Sequence, residues 1–305
     1  MIRNYLKLSM LLAFVVGMVS CNKGFENDDE QKIIENETAI KKYIADSSFT
    51  NMGQDTSGLY YKVLNPNPAG AKIAIGEEAT IRYNAYLLNG TKVWTSVKDT
   101  VKNFRYPYYS GYLFVLPGME RMIRLMRTGE KATILLPYYL GFGRAAGIPW
   151  GYSTNANIPD YSAIRVDMEF VGKRSELQQI NEYIAAKALK VTERTTDNLV
   201  IIKTTTVAAG DTIGSGKTVN VKYSGKLLNG TVFDPGTKPL SFITGPNSGY
   251  ITGFDRAVRK MKKGEKATII LPSALGYTNR GQINSGGTDF VIRPYQPITF
   301  DIEIL

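Results

Sequence analysis

The dipeptide Phe233-Asp234 stands just behind the turn signal Asn229-Gly230, and Tyr277 ends the proline-bearing stretch Leu271-Pro272-Ser273-Ala274-Leu275-Gly276. A carboxylate beside an aromatic after a turn contributes little to packing, and a loop phenol can donate one hydrogen bond. The alternatives for this pair are an exposed turn aspartate and a tyrosine packed on the surface. Tyr223, Phe242 and Phe300 fall on core-facing positions of alternating segments, where a single aromatic belongs to a core more often than to a site. The chemistry open to such a set is orientation of a bound group by a carboxylate and a phenol. The chain contains no histidine, which removes the usual base of serine- or cysteine-type catalysis. No metal ligand set or cofactor motif accompanies these residues, and none is expected.

The elements that must position them occur twice. RLMRTGEKATILLPYYLGF runs from Arg124 to Phe142, and RKMKKGEKATIILPSALGY from Arg259 to Tyr277; LLNGT recurs at Leu87 and at Leu227. Ile40, Tyr43, Ile44, Leu59 and Tyr83 match Ile180, Tyr183, Ile184, Leu199 and Tyr223. The offset of about 140 residues exceeds solenoid repeats of roughly 20–50, so these are duplicated domains. Gly118 and Gly253 lie closer together than that offset, so the first copy carries a longer loop before its helix.

Each copy opens on a helical pattern: Ile33, Ile34, Ile40 and Ile44 in the first, Leu177, Ile180, Ile184 and Leu189 in the second. A strand follows in each, at Leu59 to Val63 and at Leu199 to Ile202. The alternation Val219-Asn220-Val221-Lys222-Tyr223 predicts another strand, and Asn89-Gly90 and Asn229-Gly230 predict hairpin turns. Phe254, Ala257, Val258 and Met261 form one helical stripe, with Thr252 as expected N-cap and Gly264 placed to end the helix. Met119, Met122, Ile123 and Met126 repeat that stripe, ending at Gly129. Strands at Ala267-Ile269-Leu271 and Phe300-Ile302-Ile304 close the unit. One short helix against an antiparallel sheet is an α+β roll.

The chain is 43% apolar and 21% charged, an ordinary globular composition. Its formal charge of +10 would permit nucleic-acid binding, but Lys and Arg are scattered among acids, and no nucleic acid is expected as partner. Arg3 and Lys7 flank an apolar run from Leu8 to Val19, too short to span a bilayer but suited to a secretory signal. Met18-Val19-Ser20-Cys21 resembles a bacterial lipobox, and Cys21 is the only cysteine, so no intrachain disulfide can form. The expected organisation is a signal peptide at 1–20, acylation of Cys21, a flexible acidic tether at 21–31, and domains at 32–172 and 173–305. The acids after Cys21 read equally as a surface-export signal or a solvated linker. The expected location is the cell envelope, lipid-anchored at the outer membrane, facing periplasm or surface.

In the second copy the order V-x-V-x-Y-x-G-x-L-x-x-G-x-x-F-D, I-x-G-F, M-x-x-G-E-K, L-P-x-x-L-G-Y and F-D-I-E-I resembles an FK506-binding-protein-type peptidyl-prolyl isomerase, from Gly216 to Leu305. The first copy resembles the same family through Tyr83, Asn89-Gly90, Gly118, Met126-x-x-Gly129-Glu130-Lys131, Pro137 and Asp167-Met168-Glu169. The resemblance implies two such α+β domains, each an antiparallel sheet wrapped around a short helix. It also implies a site made of Tyr223, Phe233 and Asp234, with Phe242 on the next strand. Tyr250 and Ile251 would contact the peptide through their backbone, Phe254 would replace the family's floor tryptophan, and the Tyr277 hydroxyl would donate to a substrate carbonyl. Ile292 and Phe300 would complete the far side. Leu240 stands where some members have an aromatic, Thr278 replaces the glycine that usually follows the tyrosine, and the loop from Asn279 to Arg293 is longer than usual.

Isomerisation of an X-Pro bond needs a dry, shaped cavity and no proton transfer, which agrees with the absence of histidine. The implied partners are proline-containing polypeptides and macrolides of the FK506 class. In the first copy Trp94 is expected near the Phe233 position and Thr95 or Ser96 at that of Asp234; Phe142, Met119 and Val166 replace Tyr277, Phe254 and Phe300. Weak or absent activity is expected there, the alternative being altered specificity. The loop aromatics Tyr106, Tyr108, Tyr109, Tyr112, Trp150 and Tyr152 would bind unfolded chains or sugars, or else cover the vacated pocket. The competing reading of the whole chain is a non-catalytic chaperone or peptide-binding surface lipoprotein built on two such folds. A polysaccharide-handling surface lipoprotein is a third, resting on the loop aromatics alone.

Overall fold

A computed structural model describes residues 28–96, 104–108, 110–144 and 158–305. The expected signal segment, Cys21, Tyr109 and Pro149-Trp150-Gly151-Tyr152 lie outside the described residues. The described residues up to Thr50 form one compact unit and those from Asn51 to Leu305 another.

In the first unit α1 spans Asp28–Asp46, with Lys32–Glu35, Glu37–Lys41 and Lys42–Asp46 ion pairs along its exposed surface. The helix begins inside the segment expected to be a flexible tether. Asp28, Asp29 and Glu30 fill its first turn, where carboxylates complement the positive end of the helix dipole. Acidity that suggested solvation therefore also suits a helix start.

The second unit holds two sheets of the same design. The first comprises β1 (Gly53–Gln54), β2 (Tyr60–Val63), β3 (Glu78–Leu87), β4 (Lys92–Thr95), β5 (Phe104–Pro107), β6 (Lys131–Leu136) and β7 (Ile164–Arg174), with α2 (Pro117–Leu125) before β6. Its order is β1-β2-β6-β7-β3-β4, with β5 also paired to β3. After α3 (Glu176–Ala186) the pattern returns as β8 (Glu193–Arg194), β9 (Val200–Thr205), β10 (Thr218–Leu227), β11 (Val232–Asp234), β12 (Leu240–Ile243), α4 (Thr252–Arg259) and β13 (Lys266–Leu271). A small hairpin, β14 (Gln282–Ile283) and β15 (Phe290–Ile292), precedes the closing β16 (Ile298–Ile304). The second order, β11-β10-β16-β13-β9-β8 with β12 on β10, is the first order repeated. All pairings within both sheets are antiparallel. The chain is thus an α+β protein with two like domains.

Alternation along β10 turns Val219 and Val221 into the core, where the α4 stripe of Phe254, Ala257 and Val258 meets them together with Met261. The opposite face of this sheet is covered by α3, whose Ile180 packs with Val200, Ile202 and Ile270. The α3 start is a reciprocal cap: Ser175 accepts from the Gln178 amide, and the Gln178 side chain accepts from the Ser175 amide.

Three local expectations need correction. Thr252 is the first helical residue of α4; Ile251 occupies the N-cap and supplies no side-chain bond. The helix stops at Arg259, ahead of Gly264, and α2 likewise stops at Leu125, ahead of Gly129. In both copies the buried glutamate of the Gly-Glu-Lys triplet draws the chain into a turn first, Glu265 accepting from the Lys262 amide and Glu130 from the Arg127 amide. Finally, Arg105-Tyr106-Pro107 belongs to strand β5 and not to a loop, because pairing with β3 satisfies its backbone.

Candidate functional site

The candidate site of the second domain is assembled from four strands, the helix α4 and the segments that flank it. β10 supplies Tyr223, β11 supplies Phe233 and Asp234, and β12 supplies Phe242. The turn into α4 supplies Tyr250 and Ile251, α4 supplies Phe254, the loop after the short turn Ser273–Leu275 supplies Tyr277, and β16 supplies Phe300. Their rings form one continuous network. Tyr277 meets Phe233 at 6.2 Å between centroids, Phe233 meets Phe300 at 5.5 Å, and Phe300 meets Phe254 at 5.3 Å, all edge to face. Phe254 also meets Tyr223 at 5.9 Å and Phe242 at 6.2 Å, and Phe242 meets Tyr250 at 4.7 Å. Edge-to-face contact is the favoured geometry for such rings, so the walls are mutually braced. Phe242, Phe254 and Phe300 are buried, whereas Tyr223, Phe233, Ile251 and Tyr277 are half-buried and Tyr250 stands at an exposed rim. The set therefore has a dry floor and an accessible mouth.

Ile292 does not join that lining. It is fully buried in the core of the domain, so it has no surface for a ligand. Leu240, at the position where an aromatic was considered, packs half-buried against the same core.

Polar contacts fix the mouth. The Tyr223 hydroxyl donates to Asp234 Oδ2 at 2.9 Å, and the Gly236 amide donates to Asp234 Oδ1 at 3.1 Å. Burial, then the hydrogen bond and charge of Asp234, push the Tyr223 phenol up to about 12. Burial and the Asp234 charge also raise Tyr277. Both phenols therefore stay protonated and able to donate far above neutral pH. The Ile251 carbonyl accepts from the Phe254 and Asp255 amides, while no hydrogen bond of the Ile251 amide is found among the described residues.

Two glycines shape the site, and sequence reading gave them no role there. A Cβ on Gly225 would come within 2.6 Å of the Phe233 ring and 2.8 Å of Phe300, so only glycine lets both rings close on β10. Gly236 has φ +55°, and a Cβ there would lie 1.9 Å from the Tyr223 carbonyl oxygen, so no other residue fits that close approach. Thr278, where the resemblance called for glycine, keeps a left-handed φ of +57°. The first domain has Gly143 at the matching position, at φ +79°. The backbone shape is kept at the expense of local strain beside Tyr277.

In the first domain the same space is filled. Strand pairing corrects the expected alignment: Trp94 faces Ala85 as Asp234 faces Gly225, and Val93 takes the bulged position of Phe233. Neither Thr95 nor Ser96 stands in for the carboxylate. The Trp94 ring lies 4.8 Å from Tyr83 and 5.9 Å from Phe142, across the space between the partners of Tyr223 and Tyr277. Tyr83, Trp94, Met119, Phe142 and Val166 are all buried. Ala85 is tolerated opposite because Val93 is smaller than phenylalanine. Tyr106 and Tyr108 are also buried in this core, so they pack the domain and offer no exposed binding face.

Residues 70–164 and 210–305 each match the family model for FKBP-type peptidyl-prolyl cis-trans isomerase. The human peptidyl-prolyl cis-trans isomerase FKBP9 is 24% identical over 251 residues, covering 81% of this chain and 37% of that protein. The FK506-binding protein of Neisseria meningitidis is 38% identical over 93 residues, 30% of this chain and 79% of that one. Among solved structures, the three FKBP domains of wheat FKBP73 are similar over 84% of this chain and 98% of that one, at 24% identity and a TM-score of 0.38. The chain thus spans about a third of the length of FKBP9-type relatives.

Proposed function

Because the chain belongs to the family of FKBP-type peptidyl-prolyl cis-trans isomerases, we propose that its second domain accelerates X-Pro isomerisation in polypeptide clients while its first domain does not. The observation that carries the reading is the contrast in burial between the two aromatic sets: Tyr223, Phe233, Asp234 and Tyr277 are half-buried and reachable in the second domain, whereas Tyr83, Trp94 and Phe142 are packed together and buried in the first. Amide resonance imposes a barrier of about 18–20 kcal/mol on the bond. Moving the amide from water onto an aromatic floor removes the hydrogen bonds that favour its polar planar form, and a cavity fitted to the twisted bond binds that form better. Phe254 and Phe300 receive the proline ring, the Tyr277 hydroxyl and Ile251 amide hold neighbouring carbonyls, and Tyr223 and Asp234 keep the mouth in shape. No proton changes hands.

In a proline-peptide isomerisation assay the full chain is expected to speed the reaction, and no acceleration by the full chain would refute the proposal. The rate is expected to stay level from about pH 6 to 9, because no histidine titrates and both phenols sit above their ordinary value near 10. For stability the sign follows from the same shift. The unfolded chain loses these phenolic protons before the folded one does, so their contribution is intact below about pH 10 and is lost as pH rises through the folded values. A macrolide of the FK506 class would occupy the same floor, and its inhibition of the acceleration tests that assignment.

Exposed Val232 and Ile243, next to Phe233 and Phe242, favour one second reading, in which the domain grips unfolded chain without catalysis. Peptide binding with no acceleration would select it. We place the protein at the cell envelope, anchored through acylated Cys21, on the strength of the lipobox-like sequence and the solitary cysteine. Incorporation of labelled fatty acid into the wild-type chain and none into Cys21→Ser is the expected result; equal labelling, or none in either, contradicts it.

A further inference from the structure

We infer that the first domain acts as a platform that holds the rim hairpin of the second, with Phe290 as a positioning residue for Tyr277. The inference rests on the isomerase reading of that site. The hairpin β14–β15 follows Tyr277 directly and has no counterpart in the first domain among the described residues. Its three-residue strand β15 is divided between the two cores. Val291 and Ile292 pack in the second domain, whereas Phe290 packs against the core of the first. The Phe290 ring lies edge to face on Tyr112 at 4.7 Å and 5.3 Å from Phe114. Arg293 strengthens the clip from the strand end, its guanidinium 5.2 Å over the Phe114 ring and donating to the Arg105 carbonyl at 3.0 Å.

The base of the hairpin is tied to the site by backbone bonds. The Gly281 amide donates to the Tyr277 carbonyl at 3.0 Å, and the Tyr295 amide donates to the Thr278 carbonyl at 3.0 Å. Gln282 pairs with Ile292, so the strand that carries Phe290 is continuous with the Gly281 turn. Tyr277 itself stands beside a strained left-handed Thr278. A phenol on a long loop with a strained neighbour needs an external brace to keep its hydroxyl aimed. The ring of Phe290, seated between two aromatics of the neighbouring domain, supplies it. A domain whose own hollow is filled thereby still contributes to the reaction.

The test is steady-state isomerisation by the full chain and its variants. Phe290→Ala and Tyr112→Ala should each lower kcat/KM by about tenfold, since small misplacements of an orienting group carry effects of that order. Phe290→Tyr, which keeps the ring, should stay near wild type. In a Tyr277→Phe background, Phe290→Ala should add nothing, because the group it positions is already gone. Wild-type rates in both alanine variants would overturn the inference, as would an undiminished loss in the Tyr277→Phe background, which marks a general loosening. Tyr112→Ala lies in the other domain and leaves every hollow residue in place, so a folding defect confined to Phe290→Ala does not decide the matter. Absence of acceleration by the wild-type chain would instead sink the isomerase reading and this inference with it, and is seen before any variant is compared.

Discussion

Asp234→Ala is expected to lower kcat/KM for a proline peptide by about ten- to a hundredfold in the full chain. Asp234 holds two groups at the mouth, the Tyr223 hydroxyl at 2.9 Å and the Gly236 amide at 3.1 Å. Tyr223 is half-buried against Phe254 and Phe300, so its phenol cannot turn to water without disturbing those contacts. Leaving a donor of this kind unpaired costs about 1–3 kcal/mol, which sets the range of the expected loss. Release of Gly236 compounds it, because the turn at Gly236 is pressed against the Tyr223 backbone. Asp234→Asn keeps one acceptor oxygen and should fall between the two. A rate unchanged in Asp234→Ala would reduce the carboxylate to a surface turn residue.

The second large effect is one of stability. Trp94→Ala is expected to destabilise the first domain by about 3–5 kcal/mol, as for large-to-small changes of a buried aromatic. Trp94 is 6% exposed and touches both Tyr83 and Phe142, so truncation leaves a cavity among buried aromatics whose counterparts in the second domain are half-buried. Denaturant unfolding followed by circular dichroism measures the change. A loss under about 1 kcal/mol would mean that the ring lies at the surface and the space is not filled by it.

How far the sequence revealed this arrangement depends on the kind of signal. The duplication, several of the strands and the α4 stripe were legible because period-two and helical patterns report directly on burial. The aromatic set was legible as a group, through its order along the chain, although each member alone looked like core. The place of Trp94 was not. Matching aromatic to aromatic aligned it with Phe233, but both hairpins carry a bulge after Ala85 or Gly225, and only the pairing shows which side chain takes the extra position. Strand β5 was hidden by Pro107 and by the length of its loop, and pairing with β3 overrode both. The acids at Asp28 to Glu30 fit a tether or a helix start equally well by composition. The docking of Phe290 left only an unusually long loop as its trace, because a contact between domains has no periodicity within either one.

The most direct test of the central claim is to add a proline-containing peptide to the isotope-labelled full chain and follow its backbone amides by nuclear magnetic resonance. The account predicts that signals of Gly225, Gly236, Ile251 and Tyr277 move on titration while those of Ala85, Leu116 and Phe142 in the first domain stay fixed. Movement confined to the first-domain signals, or none in either set at saturating peptide, would contradict it.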